Sequence, residues 1–235
     1  MLVQISHFVQ KLYDMVSTKG TLFNGPHVRL PLNGIYFFFE KGQKIMINGK
    51  EYNRIVRVGI NEKQGNFRKR IRGHYKGNIE GSVFRENIGW ALLERDGMKP
   101  REIYKTKRRY KQANSGGPLE EEISKYFSET LTFKAFAINH EKLAIYEEVL
   151  IGALSIYYQY KIRRKELNLD NWLGLHSYSR KDKIKRSGLW NSNHVVLVKC
   201  FTPLLFETKV NLSNFSTGFL NKVFTDLDQN IISAP

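Results

Sequence analysis

Residues 34–60 read GIYFFFEKGQKIMINGKEYNRIVRVGI, and this stretch decides the fold. Its first part, residues 34–40, has the aromatic and β-branched composition of a strand. Ile35, Phe37 and Phe39 share one face, and Tyr36, Phe38 and Glu40 share the other. On that alternation Tyr36 is not obliged to join the core. Lys44 to Ile47 and Lys50 to Tyr52 flank Asn48-Gly49, a dipeptide that accepts the positive φ angles of a tight hairpin turn. The chain then returns through Arg54 to Ile60 as a second strand.

Outward from this hairpin, the spacing of apolar residues predicts a helix over 66–75, with Phe67 and Ile71 facing inward and Arg70 beside His74 at the edge of that face. A second amphipathic helix follows over 81–94. Helix, strand and helix are expected at about 119–129, 131–138 and 141–159, then a strand from His194 to Phe201 and a short helix over 213–227. In the helix at 141–159, Leu143, Tyr146, Leu150, Leu154 and Tyr157 form one apolar stripe, and Glu147 falls inside it. Glu148 falls outside, toward Ser155. An ionised carboxylate in such a stripe needs a cationic partner, a metal ion or a basic side chain.

The fold class is therefore α/β: a small, largely antiparallel sheet flanked by helices, in one elaborated domain over 1–235. Its core is expected at about 30–160, with basic insertions at 99–117 and 160–192 and a C-terminal strand and helix in 193–235.

The chain has 235 residues, and its 38 Lys and Arg against 22 Asp and Glu give a formal charge of +16. Such a field draws in polyanions, and nucleic acid is the leading partner. The charge is clustered. Residues 99–111 (KPREIYKTKRRYK) hold seven basic groups against one acid, with Tyr104 and Tyr110 interleaved, a mixture that suits phosphates and base or sugar stacking. Lys105, Lys107, Arg108, Arg109 and Lys111 are DNA-binding candidates there, and Lys181, Lys183, Lys185 and Arg186 are candidates in the second basic stretch. One cysteine, Cys200, excludes an internal disulfide and a thiolate zinc cage. No segment has the ~20 apolar residues of a membrane span, and no secretory leader is recognisable; the expected location is the cytoplasm.

Four pieces in order carry the functional reading: Gly34-Ile35-Tyr36, Arg57-Val58-Gly59, Arg70 with His74, and Glu147. Their order resembles that of the GIY-YIG nuclease family. The phrases RIVRVG, FRKRIRGHY, GNIEGSVFRENIGWALLE and GLWNSNHV resemble a larger bacterial branch of it, partly akin to restriction endonucleases. The resemblance runs from about residue 30 to about residue 200. It implies a phosphodiester hydrolase acting on DNA, with one Mg²⁺ or Mn²⁺ per site held by Glu147 in the pattern Glu-x-x-Leu-Ile. It implies further that Arg70 contacts the scissile phosphate and that Tyr36 lines the metal site.

The chain departs from the family at Arg57, where the second tripeptide usually begins with Tyr. Arginine stays protonated and cannot take a proton from water. General-base duty then falls on Tyr36 or His74, with His74 preferred for proton transfer and Tyr36 for positioning the water. The same departure supports the alternative reading, a nucleic-acid-binding protein that keeps the fold without cutting. Ser82, Asn191 and Asn193 are read first as cap and turn residues. Duplex DNA is the expected substrate, and cutting both strands calls for either two protomers, as in a homodimer, or two binding events.

Overall fold

The computed structural model describes residues 1–25, 30–176, 182–201, 204–206 and 216–229, without the side chains of Arg101, residues 204–206 and Asp228. The quoted hairpin forms as read. Strand β2 (Gly34–Ile47) turns at Asn48 and Gly49, both with positive φ (48° and 79°), into β3 (Lys50–Ile60). A short strand β1 (Leu22–Phe23) and β4 (Leu131–Ala137) complete an antiparallel sheet in the order β1-β4-β2-β3. Pairing sets Tyr36 opposite Gly59 and Phe38 opposite Arg57 on one side, and Phe38 opposite Phe133 on the other.

The alternation leaves open whether Tyr36 joins the core, and it does: β2 is buried on both faces from Gly34 to Glu40. Such a strand reads as a continuous apolar run, as in GIYFFF. The face bearing Tyr36 and Phe38 is covered by α2 (Phe67–Lys76), α3 (Val83–Arg95) and α6 (Pro118–Thr130), through His74, Phe84 and Phe127. Helices α1 (Leu2–Thr18) and α7 (His140–Arg163) pack against β3, where Tyr13 Oη donates to Tyr158 or accepts from it and also accepts the N–H of Ile55.

Helix α1 was not anticipated, although Ile5, Phe8, Val9, Leu12, Tyr13 and Val16 form a buried stripe at helical spacing. Its N-terminus has no side-chain cap and no acidic first turn, so the usual start signal is missing. The core accordingly begins near the N-terminus rather than at residue 30. Helix α3 is likewise buried all round rather than amphipathic, from Phe84 to Leu93. Arg85 inside it pairs with Glu120 at 2.6 Å and donates to the carbonyl of His74. Glu120 also accepts the N–H of Ile79 at 2.5 Å. Replacing Arg85 with Met strands this buried carboxylate and should destabilise the fold by about 3–5 kcal/mol in denaturant melts.

The described parts of the stretch 160–192, read as a basic insertion, are built into the fold. Trp172 and Trp190 are buried and both donate Nε1–H to Glu40 Oε2 at 3.0 Å, midway along β2 where its pairing with β4 ends. Next to Trp190, the free edge of β3 is closed without a strand. Trp190 N–H donates to Val56 O at 2.7 Å, Val58 N–H donates to Asn191 Oδ1 at 3.1 Å, and Asn191 Nδ2 returns a bond to Val58 O at 2.8 Å. The expected strand 194–201 starts later, as β5 (Val198–Phe201) paired with β6 (Leu204–Phe206). Before it, Ser155 and Gln159 of α7 bond the backbone of Val196 and Val198 in place of a neighbouring strand. Helix α9 (Thr217–Gln229) is tied to α7 by Lys142 and Asp226 at 2.7 Å; residues 213–215 of the expected terminal helix lie outside the described residues.

Candidate active site

Tyr36 is presented by the central strand with its ring enclosed by Phe38 and Phe67. Its hydroxyl lies over Gly59, where an added Cβ would overlap the phenolic oxygen. The second tripeptide therefore ends in glycine for space, not for backbone conformation. Gly59→Ala should displace Tyr36 and lower any cleavage rate by about 10²-fold or more, since a misplacement near 1 Å has that effect. A rate within threefold of wild type would remove this role.

The phenolic oxygen is 2.9 Å from His74 Nε2, and His74 Nδ1 is 2.9 Å from Ser82 Oγ. Ser82 in turn caps α3 by accepting the N–H of Arg85. His74, expected at the edge of the inward face of its helix, is fully buried. Burial, with Arg70, Arg57 and Arg85 nearby, holds its pKa well below the usual imidazole range. The ring is thus neutral at physiological pH. Because the unfolded chain binds that proton more readily, His74 favours folding above about pH 6.5 and its contribution is lost as pH falls below that value. In NMR titrations the His74 ring should still show its neutral chemical shifts at about pH 6.5, whereas a midpoint near that value would contradict this environment.

Two guanidinium groups converge on Tyr36. Arg70 is half-buried, with its pKa raised, chiefly by Tyr36. Arg57, standing where the family usually has tyrosine, is buried over the Phe84 ring at 4.6 Å and donates to Trp190 O at 3.0 Å. Burial lowers its pKa, opposed by Tyr36 and Glu147. The Nε–H of each arginine is buried with no acceptor among the described residues.

Glu147 reaches the same place from α7, its side chain 20% exposed. Burial raises its pKa, against the lowering effects of Arg57, His194 and Arg70. Its Oε2 lies 4.0 Å from His194 Nε2. His194 has φ +58°, an uncommon conformation for histidine, held between the bonds of Asn191 and the buried run Val195–Val198. The phrase GLWNSNHV contained this residue but gave it no role, because nothing local links it to a helix some 45 residues earlier. Glu62 also faces Glu147 and raises its pKa. No cluster of three or more His, Cys, Asp or Glu side chains suited to a metal occurs among the described residues. One largely desolvated carboxylate fits a hard cation that keeps most of its waters, and Arg70 and Glu62, which act on its pKa, also line an open groove. That groove, of about 450 Å³, runs along α2 over Arg70, with His74 beneath its floor.

The basic stretches fare differently. Residues 99–117 form α4 (Pro100–Tyr104) and α5 (Lys107–Asn114), and Tyr110 is buried, stacked on Trp90 at 4.0 Å, with Tyr104 edge-on to both. The two tyrosines read as stacking surfaces for bases are packing residues. Lys107 and Lys111 reach the buried Glu86 at 2.7 and 3.6 Å, while Lys105, Arg108 and Arg109 are exposed. In α8 (Asp182–Ser187), Lys183 and Lys185 are half-buried and Arg186 pairs with Asp182 at 3.4 Å. Lys181 lies outside the described residues.

The family model described as GIY-YIG domain matches residues 3–203 of the chain. Comparison with curated proteins and with solved structures finds no match.

Proposed function

The chain belongs to the GIY-YIG nuclease family, and from that membership we propose that it is a divalent-metal-dependent DNA endonuclease of restriction or other phage defence. The observation that carries this reading is the convergence of Tyr36, Arg57, Arg70 and Glu147, from two strands and two helices, on one half-open site.

Glu147 would hold one Mg²⁺ or Mn²⁺, which when bound supplies neutralisation of the phosphate and of the leaving oxygen. Arg70 clamps a nonbridging oxygen of the scissile phosphate from the groove side. Arg57, permanently charged, lies beneath it and opposes the charge that develops in the transition state. This turns the departure at position 57 from a lost base into an added cation.

Proton transfer is assigned to Tyr36 rather than to His74. A buried imidazole facing three guanidinium groups cannot readily accept a proton. It fixes the phenolic oxygen at 2.9 Å instead. Tyr36 then orients the attacking water and, acting as its phenolate, takes the water's proton to become a neutral phenol; Arg57 and Arg70 face the negative charge that this oxygen carries before the transfer. His194 stands on the far side of Glu147, in place to hold that carboxylate's orientation.

The test is incubation of supercoiled plasmid and phage DNA with Mg²⁺ or Mn²⁺, against an EDTA control. Metal-dependent nicks or linear product are expected. Linear product formed without a nicked intermediate would indicate a homodimer acting on both strands. Bound but intact DNA would replace this reading with that of a binding protein. No helix among the described residues is long and apolar enough to cross a membrane, in keeping with action on DNA in the cytoplasm.

A further inference from the structure

The groove beside Arg70 has a composition that the active-site chemistry does not use. Along α2, Lys69, Arg72 and Lys76 follow one another at i, i+3 and i+7, so they form a single row on the exposed face. Lys63 extends the row into the loop before the helix. All four are exposed and have no ion-pair partner among the described residues; Glu62 is the one carboxylate in the lining. Gly73, between the row and Arg70, leaves the floor open, for an added Cβ there would touch nothing. At the far end Gly81 and Ser82 open onto the groove at the start of α3, the positive end of that helix.

We propose that this groove, rather than the insertion at 99–117, holds the DNA backbone next to the scissile phosphate. The proposal rests on the nuclease reading for the position of the scissile phosphate at Arg70. Two contrasts support it. The cations of the insertion are partly consumed, since Lys107 and Lys111 face the buried Glu86. Its aromatic residues are consumed too, because Tyr104 and Tyr110 pack on Trp90. The α2 row, by contrast, is uncommitted and continuous with the catalytic arginine. A line of mobile cations in an open groove suits evenly spaced phosphates and carries no base-specific readout.

The test is duplex binding by fluorescence anisotropy in EDTA as salt is raised, so that it is independent of cleavage. Each lost phosphate contact flattens the log-log salt dependence by about 0.9. The variant Lys69→Ala/Arg72→Ala/Lys76→Ala should flatten it by about 2–3, and Lys63→Ala alone, off the helix, by about 1. Lys105→Ala/Arg108→Ala/Arg109→Ala should keep the wild-type slope. An unchanged slope in the α2 variant, or loss confined to the insertion variant, overturns the proposal. So does displacement of the duplex by polyglutamate of matched charge, which would mark the groove as a site for acidic protein. A duplex held through α2 but never cut would sink the cleavage reading, and with it the placement beside a scissile phosphate, and leave the groove's hold on the DNA backbone standing.

Discussion

Tyr36→Phe is expected to lower the single-turnover cleavage rate by about 10³-fold, within the range for loss of a positioned proton acceptor. The substitution keeps the buried ring and its contacts with Phe38 and Phe67, so the strand has no cause to move. What it removes is one oxygen on which His74 and two guanidinium groups converge. Their lost partner should cost about 1–3 kcal/mol of stability, visible as a lower Tm. A rate near wild type with the Tm lowered would make the hydroxyl a structural bond and return the proton to another group.

The second large effect is that of Glu147→Gln, a near-isosteric loss of charge. Cleavage should fall by about 10³-fold or more, because the cation's several kcal/mol of charge stabilisation goes with the carboxylate. The fold should not suffer. Burial raises the Glu147 pKa, so its surroundings favour the neutral form. The stability linked to that raised pKa is present below about pH 4.5 and is lost as pH rises through the folded value. At neutral pH the ionised carboxylate is therefore a burden that the neutral amide relieves. Tm should be unchanged or higher, and DNA affinity should not weaken when a negative group leaves the site. Full cleavage by this variant would show that the ion is held elsewhere.

Much of this arrangement is legible in the sequence because it is local. Asn48-Gly49 sets the hairpin, and the hairpin sets Tyr36 opposite Gly59. The helical stripe around Glu147 marks it as the inward carboxylate. The structure also buries Ser155, on the side to which Glu148 points, so α7 is covered there as well in its second half. What stays hidden depends on contacts between distant segments. Nothing near Tyr110 announces that Trp90 will take up its ring, and a run of lysines and arginines looks the same whether or not a buried Glu86 faces it. The bonds that carry Trp190 and Asn191 to β3 span more than 130 residues. They bring His194 to Glu147, a proximity that no periodicity in either segment encodes.

The central claim is that Glu147 holds the divalent cation against the phosphate flanked by Arg57 and Arg70. The most direct measurement is Mn²⁺ anomalous scattering from crystals of the protein with an uncleavable phosphorothioate duplex. The account predicts one strong peak within about 2.0–2.3 Å of a Glu147 carboxylate oxygen, absent from Glu147→Gln crystals. A peak ligated by other side chains, with Glu147 turned away, would contradict it.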